Sequence, residues 1–427
     1  MPAMIVIETL ILLSILVLVH EFGHFIAARK LGIKVLKFSI GFGPTLLKWR
    51  SGDTDFVLSA IPFGGYVKMA GEEPEEGRDF GPDEFLSRPV SHRLLVVSGG
   101  PLANLVFGFA VYLFAYGFFG ITTFPGNVVG EVIADSPAYE AGIQPKDTLI
   151  ALEGKPFENW NWFFNSLKEG ENRITILRGE TLQVTLRLEK DQDPGIVPYI
   201  PPVVGKVLKG GPAYRAGIKP GDRILEINGQ KVETWSQLVD IVQKHPDEEL
   251  EIKWERDGRV MSAVVRTQAA SQLQDGKEVK IGKIGIKVAS LEIRLNPLEV
   301  VRISAEKTAE STILIFYVFY KIISGGISVR SVGGPIMIGK MIEETQSYGF
   351  FSLLILLALI SINLFVVNIL PLPALDGGHI LVYGVEALTG KRLSPKAQSI
   401  IQQIGFGFIV LLIALIMIMD ILRLLGR

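Results

Sequence analysis

Four long apolar runs constrain this chain more than any other feature of its sequence. A helix needs about 20 predominantly apolar residues to cross the hydrocarbon core of a bilayer. The first run begins at Met4 and is interrupted only by Glu8 and then by two histidines. The other three carry no charged residue and are Leu94–Phe119, Phe350–Leu370 and Ala397–Met419. The chain is therefore predicted to be an integral membrane protein with about four transmembrane helices.

Charge and cysteine content exclude several other classes of protein. The chain has 43 lysines and arginines against 44 aspartates and glutamates, so no charge excess points to nucleic acid as a partner. It has no cysteine, which excludes disulfides and thiolate metal ligands. No basic residue precedes the first apolar run, as a secretory signal would require, so we expect this run to be retained.

The sequence "HEFGH", His20 to His24, lies near the end of the first apolar run. On a helix His20 and His24 project from one face about 40° apart, so both imidazoles can bind one ion. In the H-E-x-x-H pattern the glutamate, here Glu21, takes a proton from metal-bound water and does not bind the metal. A charged residue in a membrane span costs at least about 2.5 kcal/mol on insertion scales, which favours a compensating cation here. The motif therefore predicts a metal site.

A catalytic zinc usually has three protein ligands, so a third ligand must come from elsewhere. Asp376 and His379 follow the third apolar run, where Pro371 and Pro373 interrupt the helix. Irregular backbone at membrane depth is tolerated only where protein or a water-filled cavity surrounds it. Both carboxylate and imidazole bind zinc, so residue chemistry leaves Asp376 and His379 open as the third ligand.

The region between the second and third runs contains an internal repeat. Val128–Trp160 aligns without gaps on Val203–Trp235, and both copies have short alternating runs separated by glycine and proline. This pattern predicts one compact α+β module used twice. Both copies resemble PDZ domains, so a peptide or partner protein could dock there by adding a strand to a sheet edge. A steric role, in which the copies admit only substrates of limited size, is an equally open alternative. Before them, Val35–Met69 alternates apolar and polar residues and predicts a membrane-associated β-hairpin.

Taken together, these motifs resemble the site-2 protease family of intramembrane zinc metalloproteases, in its branch with tandem PDZ domains. The resemblance rests on "HEFGH", on "SGGPLANLVFGF" at the start of the second run and on "NILPLPALDGG", Asn368 to Gly378. It implies a Zn²⁺ cofactor held by His20, His24 and Asp376, with Glu21 as the catalytic base. It also implies substrate binding by Asn363 and Asn368, although such amides commonly form hydrogen bonds between membrane helices.

The resemblance implies hydrolysis of peptide bonds within transmembrane segments of single-span proteins whose external part has already been trimmed. The expected substrates are anti-sigma factors, in envelope stress signalling, and remnant signal peptides. Substrate and lipid bilayer are the expected partners. The alternative is a metal-binding membrane scaffold or transporter that cleaves nothing. Glu21 favours the protease, because a transporter has no need of a base that does not bind the ion.

The expected fold is a polytopic α-helical membrane protein with a β-hairpin and two inserted α+β domains. Basic residues predict that the N-terminus and the repeats face outward and the active site lies toward the cytoplasm, because Arg29, Lys30 and Lys34 follow the first run. The resemblance implies a bacterial inner membrane, with the repeats in the periplasm. The predicted parts are an N-terminal membrane part (1–125), two PDZ-like domains (126–200 and 201–290), an amphipathic connecting segment (291–349) and a C-terminal membrane part (350–427).

Overall fold

The computed structural model describes residues 3–73, 78–190, 192–274, 277–327, 333–346 and 349–424. The chain divides into two compact units. The first, called the membrane unit, consists of Met1–Phe119 and Leu295–Arg427. The second, called the repeat unit, is Gly120–Arg294.

Helices make up most of the membrane unit, whereas the repeat unit contains more strand than helix. The helices are α1 (Ala3–Lys30), α2 (Val90–Phe119), α3 (Pro137–Glu140), α4 (Trp160–Ser166), α5 (Pro212–Arg215), α6 (Trp235–Gln243), α7 (Pro297–Ile323), α8 (Pro335–Gln346), α9 (Phe350–Ile369), α10 (Asp376–Thr389) and α11 (Pro395–Leu424). The strands are β1 (Val35–Ser51), β2 (Thr54–Met69), β3 (Ile121–Thr123), β4 (Val129–Val132), β5 (Thr148–Leu152), β6 (Lys155–Pro156), β7 (Gly170–Arg178), β8 (Glu180–Leu188), β9 (Ile196–Pro198), β10 (Val204–Val207), β11 (Arg223–Ile227), β12 (Gln230–Lys231), β13 (Glu249–Arg256), β14 (Arg259–Arg266), β15 (Gln268–Gln274), β16 (Lys277–Lys283), β17 (Ile286–Val288) and β18 (Leu291–Ile293).

All four apolar runs form helices. Among the described residues, four segments are long and apolar enough to cross a membrane: Met4–Lys30, Val90–Phe119, Phe350–Ile369 and Lys396–Asp420. A bilayer offers backbone groups no hydrogen-bond partner, and a helix satisfies those groups internally. The chain is therefore a multi-pass membrane protein.

Helices α1 and α2 approach each other closely because glycines face each other where they cross. A Cβ atom added to Gly23 would lie 2.1 Å from the carbonyl oxygen of Gly99, and one added to Gly99 would lie 2.7 Å from the carbonyl oxygen of Gly23. Small residues allow membrane helices to pack backbone against backbone in this way. The same stretch of α2 lies beside both histidines of α1, as described below.

Strands β1 and β2 form the expected antiparallel hairpin over Val35–Met69. Several register shifts interrupt their pairing, and Gly41, Gly43 and Gly64 have positive φ angles, which side-chain-bearing residues rarely adopt. Among the described strands, β1 and β2 pair only with each other. The hairpin therefore has free outer edges. It also exposes a group of large apolar side chains, namely Phe42, Leu46, Leu47, Trp49 and Ile61.

Helix α7 lies in the connecting segment that the sequence predicts to be amphipathic. It begins at Pro297, well before the apolar stretch that forms its C-terminal half. Asn296 and Glu299 form a capping box there, and Pro297 occupies the first turn, where its missing N–H costs nothing. This helix is not among the candidate membrane spans of the described residues.

The two copies in the repeat unit share one order of elements, to which the second copy adds a hairpin of β15 and β16. The first copy has a sheet of order β6-β5-β7-β8, and the second has the matching order β12-β11-β13-β14. Each copy encloses its own hydrophobic core, with Trp160 in the first and Trp254 in the second.

One buried ion pair recurs at the same place in both copies. Arg178 donates two hydrogen bonds of 2.6 Å to Asp147, and Arg256 contacts Asp222 in the same way. Burial alone would raise the pKa of Asp147, but hydrogen bonds from Arg178 and the Gln144 amide outweigh it and hold that pKa below its usual value. The pairing therefore stabilises the charged form of a carboxylate that is almost fully enclosed.

Candidate metal centre

Helix α1 carries His20 and His24 on one face, as the motif predicted. Their Nε2 atoms lie 3.2 Å apart, and the two rings meet edge to face. His24 is buried and His20 is half-buried. The two imidazoles thus point their outer nitrogens at a common position.

The segment between α9 and α10 brings Asp376 to the same place. Helix α9 ends at Ile369 because Pro371 and Pro373 cannot continue it, and Ala374 adopts a positive φ of 71°. Helix α10 then begins at Asp376 itself.

Glycines after Asp376 are required by the tight packing of this turn. A Cβ atom on Gly377 would lie 2.0 Å from the carbonyl oxygen of Leu370, and one on Gly378 would lie 2.5 Å from that of Leu372. The sequence "DGG" therefore lets the first turn of α10 lie directly against the preceding loop.

Three potential ligand atoms converge with a spacing that suits zinc. Asp376 Oδ2 lies 3.0 Å from His20 Nε2 and 3.4 Å from His24 Nε2. In a tetrahedral zinc site with bonds of about 2.0–2.1 Å, any two ligand atoms lie about 3.3–3.4 Å apart. Asp376 Oδ2 is also buried and has no well-aligned hydrogen bond from the described groups. Its lone pairs are available to an ion, so the three residues fit zinc.

Helix α2 orients both imidazoles by contacting their Nδ1 atoms, on the side of each ring away from Asp376. His24 Nδ1 lies 2.8 Å from the Val96 carbonyl oxygen, so Nδ1 carries the proton and Nε2 keeps its lone pair for a metal. His20 Nδ1 lies 3.4 Å from Asn104 Nδ2, while Asn104 Oδ1 is buried without a partner. Exchanging the two ends of this amide, which have the same shape, would let Oδ1 accept from His20 Nδ1–H. We assign that orientation, because it satisfies both groups.

Gly100 provides the space that the imidazoles occupy. A Cβ atom at this position would lie 2.2 Å from His24 Nε2 and 2.8 Å from His20 Cε1. No side chain larger than hydrogen is therefore compatible with the observed positions of the two rings.

Glu21 lies beside the metal ligands and is not one of them. It faces the hairpin, where its Cγ would be 3.2 Å from a Cβ atom on Gly65, and the Val67 backbone is within hydrogen-bonding range of its carboxylate. The cluster that could hold a metal contains His20, His24 and Asp376 only, among the residues that the structure describes. This placement suits a base that acts next to an ion.

The other residues considered for the site, Asn363, Asn368 and His379, lie close to Asp376 in sequence. They do not belong to the cluster that could hold a metal. Asn363 is exposed and Asn368 is half-buried on α9, and neither side chain has a hydrogen-bond partner among the described residues. The interhelical hydrogen bonds considered for them are thus not formed. His379 is turned toward Tyr383, with ring centres 6.2 Å apart, and is not in the ligand cluster. The structure therefore brings Asp376, and not His379, to the two histidines.

Three residues of α2 contribute to this centre although the sequence did not predict their roles: Val96, Gly100 and Asn104. All three lie in or just before "SGGPLANLVFGF", which was noted only as part of the resemblance. The available signal in the sequence was the polar Asn104 and the small residues Ser98, Gly99 and Gly100 in an otherwise apolar span. A buried asparagine in a membrane helix usually has a partner or a function.

Two histidines and a carboxylate beside a glutamate that is not in the ligand cluster, held among membrane-length helices, are the arrangement of a membrane-embedded metalloprotease. Residues 8–412 match the model of Peptidase family M50, and the chain belongs to that family.

The similarity to relatives extends over nearly the whole length of both chains. The Regulator of sigma-E protease RseP of Escherichia coli (strain K12) is 32% identical, over 97% of this chain and 98% of the relative. A provisionally named zinc metalloprotease of Neisseria meningitidis is 32% identical, over 96% of this chain and 97% of the relative. Among solved structures, the PDZ domain of an SdrC-like protein of Listeria monocytogenes is 20% identical, covering 22% of this chain and 90% of that domain, with a TM-score of 0.18.

Proposed function

We propose that this metalloprotease uses zinc to hydrolyse peptide bonds within transmembrane segments of single-span membrane proteins whose external part has been trimmed. The observation that supports this most directly is the mutual spacing of 3.0–3.4 Å among His20 Nε2, His24 Nε2 and Asp376 Oδ2. The proposed substrates are anti-sigma factors and remnant signal peptides, by analogy with relatives named as regulators of sigma-E.

Each residue of the centre has a defined part in this reaction. His20, His24 and Asp376 would hold the ion, which when bound supplies Lewis-acid polarisation of a carbonyl and a water that ionises near neutral pH. Glu21 would act as the base that accepts a proton from the attacking water and returns it to the leaving amide nitrogen. Val96 and Asn104 keep the two imidazoles in the orientation that leaves Nε2 unprotonated.

The hairpin and the asparagines of α9 would hold the substrate. A transmembrane helix hides its carbonyl groups in its own hydrogen bonds and must unwind before it is cut. The free edge of β2 runs past Gly65 and Val67, beside Glu21, so a substrate strand added there would lie next to the base. The unpaired amides of Asn363 and Asn368 could bind the backbone groups that unwinding releases.

We propose that the repeats face the periplasm and that the centre lies toward the cytoplasm of a bacterial inner membrane, as basic residues after α1 and before α11 indicate. The chain has no cysteine, so single-cysteine variants can test this directly. Glu180→Cys should react with a membrane-impermeant maleimide in spheroplasts, and Lys391→Cys should react only after lysis. The reverse pattern would invert the topology.

Backbone hydrogen bonds distinguish the two repeats as docking sites for an extended peptide. In the first copy, Ile133 N donates to Gly195 O and Tyr199 N donates to Val128 O. Because backbone groups alternate along a strand, the intervening Pro198 faces away from β4. The outer edge of β9 therefore lacks one N–H donor, since proline has none.

The second copy keeps that donor. Leu208 N donates to Gly285 O and Ala289 N donates to Val203 O, so Val288 takes the outward position. We propose that β17, and not β9, accepts the strand of a trimmed substrate. Val288→Pro should weaken binding of a fluorescent peptide with an apolar C-terminal residue about three- to tenfold, as loss of one hydrogen bond predicts. Equal binding by wild type and Val288→Pro would contradict this assignment.

The central test compares wild type with Glu21→Gln in detergent, using a tagged single-span substrate that has been trimmed. Wild type should cut the substrate and bind one zinc, whereas the variant should bind zinc and cut nothing. Cleavage by Glu21→Gln would remove Glu21 as the base. Zinc binding without cleavage by either protein would favour the scaffold or transporter over the proposed reaction.

A further inference from the structure

A buried ion pair joins α2 to α10 outside the metal centre. Arg93 Nη1 and Nη2 donate hydrogen bonds of 2.9 and 2.6 Å to the two carboxylate oxygens of Glu386. The side chains are 1% and 8% exposed, respectively. The Arg93 guanidinium also lies over the Tyr383 ring, 4.8 Å from its centre, and Arg392 reaches Glu386 from the partly exposed side at 3.0 Å.

Stability alone is a poor reason for such a pair. Removing two charges from water costs several kcal/mol, and apolar residues of similar volume often stabilise a protein equally well. What two parallel hydrogen bonds between planar groups provide is a fixed relative orientation. The pair between Arg93 and Glu386 thus fixes α10 against α2 at one rotation and one height.

The fixed helix is the one that begins with the proposed ligand Asp376. Glu386 lies on the same uninterrupted helix, about 15 Å along its axis at 1.5 Å per residue. Arg93 lies one turn before Val96, whose carbonyl orients His24. One stretch of α2 therefore fixes the position of both ligand-bearing helices.

We propose that the pair between Arg93 and Glu386 positions Asp376 opposite His20 and His24, so that zinc affinity depends on an ion pair outside the centre. Before Asp376, the chain is an irregular loop with two prolines, which restricts α10 less than a continuous helix would. The pair adds a second restraint on α10, from the other side of the ligand. This inference rests on the proposed zinc centre.

The decisive variant replaces both charges by apolar residues, Arg93→Met with Glu386→Leu, which leaves no unpaired buried charge. Zinc affinity of the full-length protein in detergent would be measured by chelator competition, and ligand geometry by the visible absorption of bound cobalt(II). We expect the double variant to fold, to bind zinc at least about tenfold more weakly and to show a changed cobalt spectrum. Arg392→Met is the matched control: it also removes a contact to Glu386, but it should leave both measurements unchanged.

Wild-type zinc affinity and an unchanged cobalt spectrum in the double variant would overturn the proposal and leave the pair a purely structural role. If the double variant does not fold, Arg93→Lys decides, because it keeps the charge balanced and removes the paired hydrogen bonds. The same weakening is then expected, and unchanged affinity would again overturn the proposal. Absence of zinc from the wild-type centre would instead overturn the proposed function.

Discussion

Gly100→Ala should abolish tight metal binding without changing any ligand. The added Cβ would lie 2.2 Å from His24 Nε2, whereas ordinary contact begins at 3.4 Å, so the ring must retreat by about 1.2 Å. His24 cannot rotate away freely, because its Nδ1 is bonded to the Val96 carbonyl at 2.8 Å. Metal–ligand distances are maintained to about 0.2 Å, so the displaced imidazole is lost as a ligand.

The expected loss of affinity follows from this displacement. Removing a residue that only supports a ligand weakens metal binding about 10–100-fold, so displacing a ligand should cost at least about 100-fold. That factor corresponds to about 2.8 kcal/mol of binding free energy. Zinc affinity would be measured by chelator competition on purified protein in detergent, with cleavage of a trimmed substrate as a second readout.

Gly117→Ala is the matched control, because it adds the same methyl group to the same helix. Its Cβ would meet only Val300 Cγ1, at an ordinary contact distance of 3.6 Å. This variant should bind zinc as wild type does. If Gly100→Ala also bound zinc within threefold of wild type, the close approach of α2 to the imidazoles would be wrong.

Three further predictions concern the ligands and the repeat unit. Asn104→Ala should weaken zinc binding about 10–100-fold, because His20 would no longer be held in the tautomer that leaves Nε2 unprotonated. Ser361→Ala, which removes only a hydrogen bond to the Asn104 backbone carbonyl, should not weaken it. Equal effects of the two variants would refute the role of Asn104 in fixing the tautomer. Asp376→Ala should abolish zinc binding and His379→Ala should preserve it, and the opposite result would exchange their roles. Asp147→Asn should destabilise the first repeat by about 1–3 kcal/mol at pH 7. Because the folded-state pKa of Asp147 lies below the unfolded value of about 3.9, this difference should shrink as pH falls through the folded pKa, and a pH-independent difference in amide exchange would contradict the cause given.

The sequence predicted the site best where a short local pattern is enough to place the side chains together. Two histidines four residues apart on a helix must share a face, so His20 and His24 were predictable from spacing alone. Asp376 was not: spacing left it equal to His379, and only resemblance favoured it. The structure separates the two because the loop with Pro371 and Pro373 turns the first residue of α10 toward α1.

Residues that contribute to the metal centre through a backbone group or through the lack of a side chain are hard to recognise in the sequence. Val96 acts through its carbonyl and Gly100 through the absence of a side chain, and neither property can be recognised without the neighbouring helix. Asn104 was visible as a polar residue in an apolar span, but its partner is 84 residues away. The start of α7 was not predicted for a different reason. Asn296, Pro297 and Glu299 have the sequence of a capping box, which a search for apolar runs does not detect.

The two halves of the metal centre come from opposite ends of the chain, and this order has a consequence during biosynthesis. Arg93 and Glu386 are 293 residues apart, which a ribosome traverses in about 15–60 s at about 5–20 residues per second. For nearly all of that interval α1 and α2 can be in the membrane while Asp376, the proposed carboxylate ligand, has not yet been made. With the proposed ligand set, a nascent chain would be unable to cut neighbouring membrane proteins until its last helices are inserted. Late synthesis of one proposed ligand would therefore keep the enzyme inactive while it is being made.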